Sequence, residues 1–300
     1  MCGTCGCSDG NKATIIDLQT GAHTHIDADG NEITHTHDHD HDHDHDHDHD
    51  HDHDHEHGHT HEHSHDHDHA QAHSNAHGTT IALEQAIMQK NDALADRNRA
   101  WFSGREILAL NLVSSPGSGK TTILERTIRD LIGKTPICVI EGDQQTANDA
   151  QRIKDSGAPS VQINTGTGCH LEADMVMVGV KALKPASGSI VMIENVGNLV
   201  CPALFDLGEA AKVAILSVTE GEDKPIKYPH MFQAADLMLL NKTDLLPYLD
   251  FDVEECLAYA RKVNPKIKTI QLSAKTGEGM EDWYAWLDAQ RIEASEKAFA

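Results

Sequence analysis

Basic residues are almost missing from the first 80 positions of this 300-residue chain. Lys12 stands alone there against 18 acidic groups, a net of −17. The whole chain carries −24, so residues 81–300 carry only −7. Nucleic acid needs a basic surface, and neither part offers one. The chain also lacks any run of 18 apolar residues, which argues against a membrane-spanning helix. Its N-terminus has no basic region leading into an apolar stretch, so no secretory signal is expected. Both absences point to the cytoplasm, where thiols stay reduced. A disulfide framework is missing too: the seven cysteines (2, 5, 7, 138, 169, 201 and 256) are odd in number and unsuitably spaced. In a reducing compartment, clustered cysteines read as metal ligands or redox groups.

What is present is histidine. Every second residue from His35 to His69 is one, mostly alternating with aspartate. The pattern has no apolar face at the helical or the strand period, so no packed core can use it. Imidazole is the commonest ligand for borderline transition metals. The tract therefore predicts metal binding, as a weak, pH-dependent, high-capacity reservoir on a flexible tether. Residues 1–80 as a whole are expected to be a disordered metal-binding region, too charged and too poor in apolar residues to fold.

Residues 81–300 read as one large α/β domain. Short apolar runs at Ile107–Val113, Pro136–Ile140, Val161–Ile163, Ser189–Ile193, Val213–Val218, Leu237–Leu240 and Thr269–Leu272 predict strands. Helical spacing is predicted at 81–98, 122–132, 145–156, 171–184, 229–235, 252–263 and 279–296. Apolar strands alternating with helices mean a mostly parallel sheet covered on both faces.

The run Ser114-Ser-Pro-Gly117-Ser118-Gly119-Lys120-Thr121-Thr122 follows the first of these strands and opens a helix. It fits the P-loop of nucleoside triphosphatases, with Ser114 in place of the usual first glycine. Loop amides and the helix N-terminus face phosphate, Lys120 adds a point charge and Thr121 offers a hydroxyl to Mg²⁺. A glycine-rich turn is the bland alternative. Asn241-Lys242-Thr243-Asp244 follows another strand and looks like the guanine-specificity motif of GTPases. A carboxylate can accept from guanine N1 and N2, donors that adenine lacks. Ser273-Ala274-Lys275 matches the last base-contacting element. Three elements in this order favour GTP over ATP. Asp143 and Glu194, at predicted strand ends, are candidates near Mg²⁺ and the γ-phosphate; otherwise they cap the following helices. No general base is assigned, and phosphoryl transfer can proceed by positioning and charge stabilisation.

Cys169-His170 opens a predicted helix, and Cys201 lies beyond Glu194-Asn-Val-Gly197. Two thiolates and an imidazole suit Zn²⁺ or Ni²⁺. A fourth ligand is harder to supply from adjacent residues, and pairing across a two-fold axis would provide it. Core-filling thiols with His170 as a helix cap remain the alternative. At the N-terminus, Cys2, Cys5 and Cys7 are separated by small residues. With the Cys2 amine exposed by loss of Met1, they offer one nitrogen and three thiolates, a set that suits square-planar Ni²⁺; tetrahedral Zn²⁺ competes.

Taken together, Ser114–Thr121, Glu141-Gly-Asp143-Gln-Gln, Thr165-Gly-Thr-Gly-Cys169-His170, Glu194-Asn-Val-Gly197-Asn-Leu-Val-Cys201-Pro and Asn241–Asp244 resemble the HypB family, nickel-incorporation GTPases of [NiFe]-hydrogenase maturation. The resemblance covers nearly all of residues 81–300. It implies a P-loop fold, GTP hydrolysis to GDP, and a GTP-dependent homodimer with a nickel or zinc site at its interface built from Cys169, His170 and Cys201. Hydrogenase large subunit and a HypA-type nickel chaperone are the implied partners. The Cys2–Cys7 cluster also resembles the high-affinity nickel motif of some members. Urease-accessory GTPases carry Cys-Pro-His where this chain has Cys201-Pro202-Ala203. A urease-type GTPase and a nickel buffer stay as alternatives.

Overall fold

A computed structural model of the chain describes residues 14–17, 22–26, 32–36, 70–143, 147–166 and 168–298, with only the backbone described for those before 85, for 143 and for 147–151. Cys2, Cys5, Cys7 and the tract beyond Thr36 lie outside the described residues.

Ten strands form one sheet: β1 (Thr14–Asp17), β2 (Ala22–Ile26), β3 (Glu32–Thr36), β4 (Leu108–Ser114), β5 (Ile137–Asp143), β6 (Ser160–Asn164), β7 (Ile190–Glu194), β8 (Ala211–Ser217), β9 (Leu237–Asn241) and β10 (Lys268–Gln271). Their order is β10-β9-β8-β4-β7-β5-β6-β1-β2-β3. The seven from β10 to β6 run parallel. Each was expected from its apolar run. The last three form an antiparallel meander on the β6 edge, with Ile15 opposite Ile163. Order there was not expected. The segments are short but rich in Ile and Thr, residues that favour strands, and glycines separate them.

The helices are α1 (Ala70–Ser103), α2 (Lys120–Leu131), α3 (Ala147–Ser156), α4 (Ala173–Leu183), α5 (Cys201–Leu204), α6 (Lys224–Lys227), α7 (Pro229–Ala234), α8 (Val253–Val263) and α9 (Met280–Ala298). The helix expected from residue 81 starts at Ala70, because propensity and the weak polar spacing of 70–80 do not stop a helix that tertiary contacts anchor further on. Two short helices, α5 and α6, were not expected; proline near each start lets so brief a turn form.

Strand β4 shows how the layers are sorted. Leu108, Leu110 and Leu112 pack under α2, α3 and α9 with Ile123, Leu124, Ile153 and Trp283. Ala109 faces the other side, with Phe102 of α1 and Val176 and Val180 of α4, and Val113 joins Met231 and Phe232 of α7 and Leu257 of α8. Helices thus cover both faces of the parallel sheet. Trp283 is fully buried, and its indole N–H donates to Thr127 Oγ1 at 2.9 Å. Trp283→Ala is expected to destabilise the chain by about 3–5 kcal/mol, read as a lower urea midpoint. An unchanged midpoint would mean that α9 does not share the fold's cooperative unit.

Candidate nucleotide and metal site

The loop after β4 turns where the sheet order reverses, β8 on one side and β7 on the other, the usual position of a ligand crevice in such sheets. Gly117 and Gly119 hold φ of 77° and 94°, values side chains rarely adopt. At Gly119 a Cβ would also run into the Asn241 amide. Lys120 and Thr121 begin α2. An open cleft of about 510 Å³ lies over them, lined by residues 114–122, Glu141, Arg152, Glu194–Gly197 and Lys242.

The base-recognition loop is fastened to this cradle. Asn241 donates through Nδ2 to Ser118 O at 2.9 Å and accepts from Ala274 N at 3.2 Å. Lys242, at φ 64°, donates from Nζ to Gly117 O at 2.6 Å. Asp244 accepts from Ser273 Oγ at 2.6 Å. The structure thus joins the three nucleotide elements read separately from the sequence, all but Lys275, which takes part in none of these bonds.

On the other side of the cleft, Thr121 Oγ1 donates to Glu194 Oε1 at 2.8 Å, and Lys120 Nζ lies 3.8 Å from the same oxygen. Lys120 also donates to the Asn195 carbonyl. A hydroxyl beside a carboxylate is an all-oxygen donor pair that fits Mg²⁺. Glu194 thus ends β7 beside Thr121 and Lys120. Asp143 ends β5, and its side chain is outside the described set. Sequence reasoning missed several groups around the cleft. Arg152 donates to Thr122 Oγ1 at 3.2 Å and Glu125 Oε2 at 2.8 Å. Glu220 accepts from Ser115 Oγ and, at 3.0 Å, from Ser217 N; burial raises its pKa. Neither lies in a motif, so no spacing rule could have found them.

Cys169, His170 and Cys201 converge. Their ligand atoms all lie within 4.8 Å of one another, with Cys169 Sγ 3.6 Å from His170 Nδ1. His170 is 5% exposed and stacks on Phe205 at 3.9 Å between ring centroids. Burial pushes its pKa down to about 4, which leaves the imidazole neutral at pH 7, the form that ligates metal. Cys169 and Cys201 are half-buried, whereas Cys138 and Cys256 are buried core thiols, Cys256 pushed up to about 12 by burial. The geometry thus separates two kinds of cysteine that spacing alone could not.

Local backbone explains the convergence. Gly142 in β5 has no side chain where Leu171 packs: a Cβ there would sit within 2.6–2.9 Å of Leu171 carbons. That contact lays the Cys169-His170 turn against the sheet. Asn198 links the two halves, donating at 3.5 Å to Cys169 O and accepting at 2.8 Å from Val200 N just before Cys201. Asn91 and Asn98 of α1 tie the backbone of Ala173 to that of Asp206 and Leu207.

The description "CobW/HypB/UreG, nucleotide-binding domain" matches residues 108–271. The hydrogenase maturation factor HypB of Azotobacter chroococcum is 64% identical over 211 residues, 70% of this chain and 69% of that protein. The chain belongs to the HypB family. Solved HypB structures agree in fold. That of Archaeoglobus fulgidus HypB is 38% identical with a TM-score of 0.64, over 68% of this chain and 99% of that one. That of Helicobacter pylori HypB in complex with nickel has the same identity and TM-score, over 68% of this chain and 96% of that one. Among the described residues no helix is long and apolar enough to cross a membrane.

Asp244→Asn replaces a carboxylate oxygen, an acceptor, with an amide donor. Calorimetry is expected to show GDP binding about 10–100-fold weaker, the cost of losing a charged hydrogen bond. Xanthosine diphosphate, with a carbonyl at C2, is expected to bind the variant better than GDP does. Unaltered GDP affinity would remove Asp244 from base recognition.

Proposed function

We propose that this protein is a GTP-hydrolysing nickel metallochaperone, which binds, stores and delivers Ni²⁺ for maturation of [NiFe] hydrogenase, with dimerisation and metal release coupled to the nucleotide. The observation that carries the reading is the cluster of Cys169, His170 and Cys201 within 4.8 Å, on segments that flank the Glu194–Gly197 turn against the P-loop. A neutral imidazole and two thiols are a soft-to-borderline set, right for nickel and also for Zn²⁺. A fourth ligand from a second copy would make metal loading and homodimerisation interdependent.

In this reading, Gly117–Thr122 hold the phosphates, while Asn241, Asp244, Ser273, Ala274 and Lys275 select guanine. Lys120 neutralises charge on the β- and γ-phosphates. Thr121 and Glu194, together with Asp143, would hold Mg²⁺, which when bound would neutralise developing charge on the transferred phosphoryl group. Residues 1–80 supply nickel: Cys2, Cys5 and Cys7 as a tight site, and the histidine tract as a reservoir. Residues 81–300 are the GTPase domain. The protein works in the cytoplasm with a HypA-type chaperone and the hydrogenase large subunit.

Two sets of variants test this in cells lacking the native protein. Cys169→Ala and Cys201→Ala are expected to abolish hydrogenase activity at any nickel supply, and to weaken nickel binding beyond the roughly 10–100-fold that outer-shell partners cost. Deleting residues 37–69 is expected to lower hydrogenase activity only when nickel is scarce. The opposite pattern, silent cysteine variants and a deletion that nickel cannot rescue, would make the protein a buffer.

A further inference from the structure

Asn195 has no place in the nucleotide or metal assignments above, yet it touches both sites. It is 1% exposed and directly follows Glu194. Its backbone carbonyl accepts from Lys120 Nζ. Its side-chain Oδ1 accepts from Leu171 N at 3.1 Å and from Val196 N at 2.9 Å. Leu171 is the residue after His170. The distance from the P-loop ammonium to the backbone of the Cys169-His170 turn is thus spanned by one residue.

A second branch leaves the same side chain. Asn195 Nδ2 donates to Asn111 Oδ1 at 3.2 Å, and Asn111 Nδ2 donates to Glu209 Oε1 at 3.0 Å. Glu209 Oε1 lies 3.7 Å from Lys212 Nζ. Lys212 donates to the carbonyls of Pro202 at 2.9 Å, Ala203 at 3.4 Å and Phe205 at 3.3 Å. Those carbonyls belong to the turn that Cys201 opens and to the residue whose ring stacks on His170. Asn111, Glu209 and Lys212 are all at least nine-tenths buried. In low dielectric, breaking one such bond leaves the remaining groups short of a partner, so the chain tends to shift as a unit.

We propose that Asn195 is the positioning residue through which the state of the nucleotide reaches the Cys169–His170–Cys201 cluster. The inference rests on the metal and nucleotide reading above and adds its physical route. A P-loop lysine reaches the β- and γ-phosphates. A triphosphate therefore competes with the Asn195 carbonyl for the Lys120 ammonium. Whatever moves the 194–197 backbone moves the acceptor of the Leu171 amide and, by Asn111, Glu209 and Lys212, the carbonyls of the Cys201 turn. Because one side chain holds the Leu171 half directly and reaches the Cys201 half through Asn111, Glu209 and Lys212, a shift of it alters the spacing of imidazole and thiols. A ligand set with altered spacing binds metal with altered affinity, which is the differential interaction that coupling requires.

The test uses the full chain carrying Cys2→Ser, Cys5→Ser and Cys7→Ser. There the thiolate-to-nickel absorption band reports Cys169 and Cys201 without interference from the sulfur-free histidine tract. Nickel is titrated with GDP and with a non-hydrolysable GTP analogue. The parent is expected to show a nucleotide-dependent affinity ratio. Asn195→Ala keeps the backbone acceptor for Lys120 but removes both side-chain branches, and the ratio is expected to fall to within twofold of one while GDP still binds. Asn195→Asp keeps the acceptor for the Leu171 amide and is expected to retain part of the ratio. An Asn195→Ala chain that keeps the full ratio overturns the route and leaves the metal reading standing. A parent with equal affinities in the two states overturns the coupling and its route, and a parent with no thiolate-to-nickel band overturns the metal reading beneath them. Hydrogen exchange on the chain with native Asn195 gives a check independent of how the variants fold. Protection at Leu171 is expected to differ between GDP and the analogue, and identical protection overturns the route.

Discussion

The pairing of β4 with β7 is the constraint on which the rest depends. Leu112 lies beside Glu194 in parallel register, so the P-loop and the Glu194–Gly197 turn leave adjacent strands at the same end of the sheet. A shift of that register by one residue would turn Glu194 away from Thr121 and put Ile193 or Asn195 in its place. The register is held by Leu108, Leu110 and Leu112 on one face and Ala109 on the other, with Ile190, Met192, Val191 and Ile193 beside them. The chemistry at the strand ends is thus set by side chains that take no part in it.

From that point polar contacts fan out in two directions. Toward β9 they are short and direct: Asn241 and Lys242 grip the backbone of Ser118 and Gly117. The P-loop and the Asn241–Asp244 loop are therefore one piece, held in register by their own contacts. Toward β5 and β8 the contacts run through buried side chains, with Asn195 and Asn111 at the centre and Glu209 and Lys212 further out. A fully connected buried network of this kind specifies one arrangement strongly and tolerates partial disruption badly. It occupies ground that an ordinary core would fill with apolar residues, and it lies between the P-loop cleft and the Cys169–His170–Cys201 cluster.

Much of this was legible in the sequence. Parallel strands announce themselves as apolar runs because both faces are buried, and all seven were found that way. The P-loop stood out because its glycines and lysine follow a buried strand, and Asn241–Asp244 and Cys169-His170 stood out by residue type, the structure bringing the first to the P-loop and the second to Cys201. The Ile- and Thr-rich meander was not legible: three short polar-flanked strands have too little periodicity to stand out, and only the free edge of β6 gives them a partner. Asn195, Asn198 and Asn111 were passed over for a different reason. An asparagine's value lies in what faces it, and the distant partners here are 24 to 98 residues away in number — Asn111 itself sits in the middle of an apolar strand. Arg152 and Glu220 acquire their places from tertiary packing alone.

The meander changes what the histidine tract is. Strand β3 ends at Thr36 and α1 begins at Ala70. Residues 37–69 are thus fastened to the same fold at both ends, one at the edge of the sheet and the other at the start of the helix that packs on α4. At about 3.5 Å per residue, no point in this span can stray more than about 60 Å from one of its anchors. The span thus leaves from and returns to one fold, and its contour length, rather than a linker to a separate body, bounds its reach.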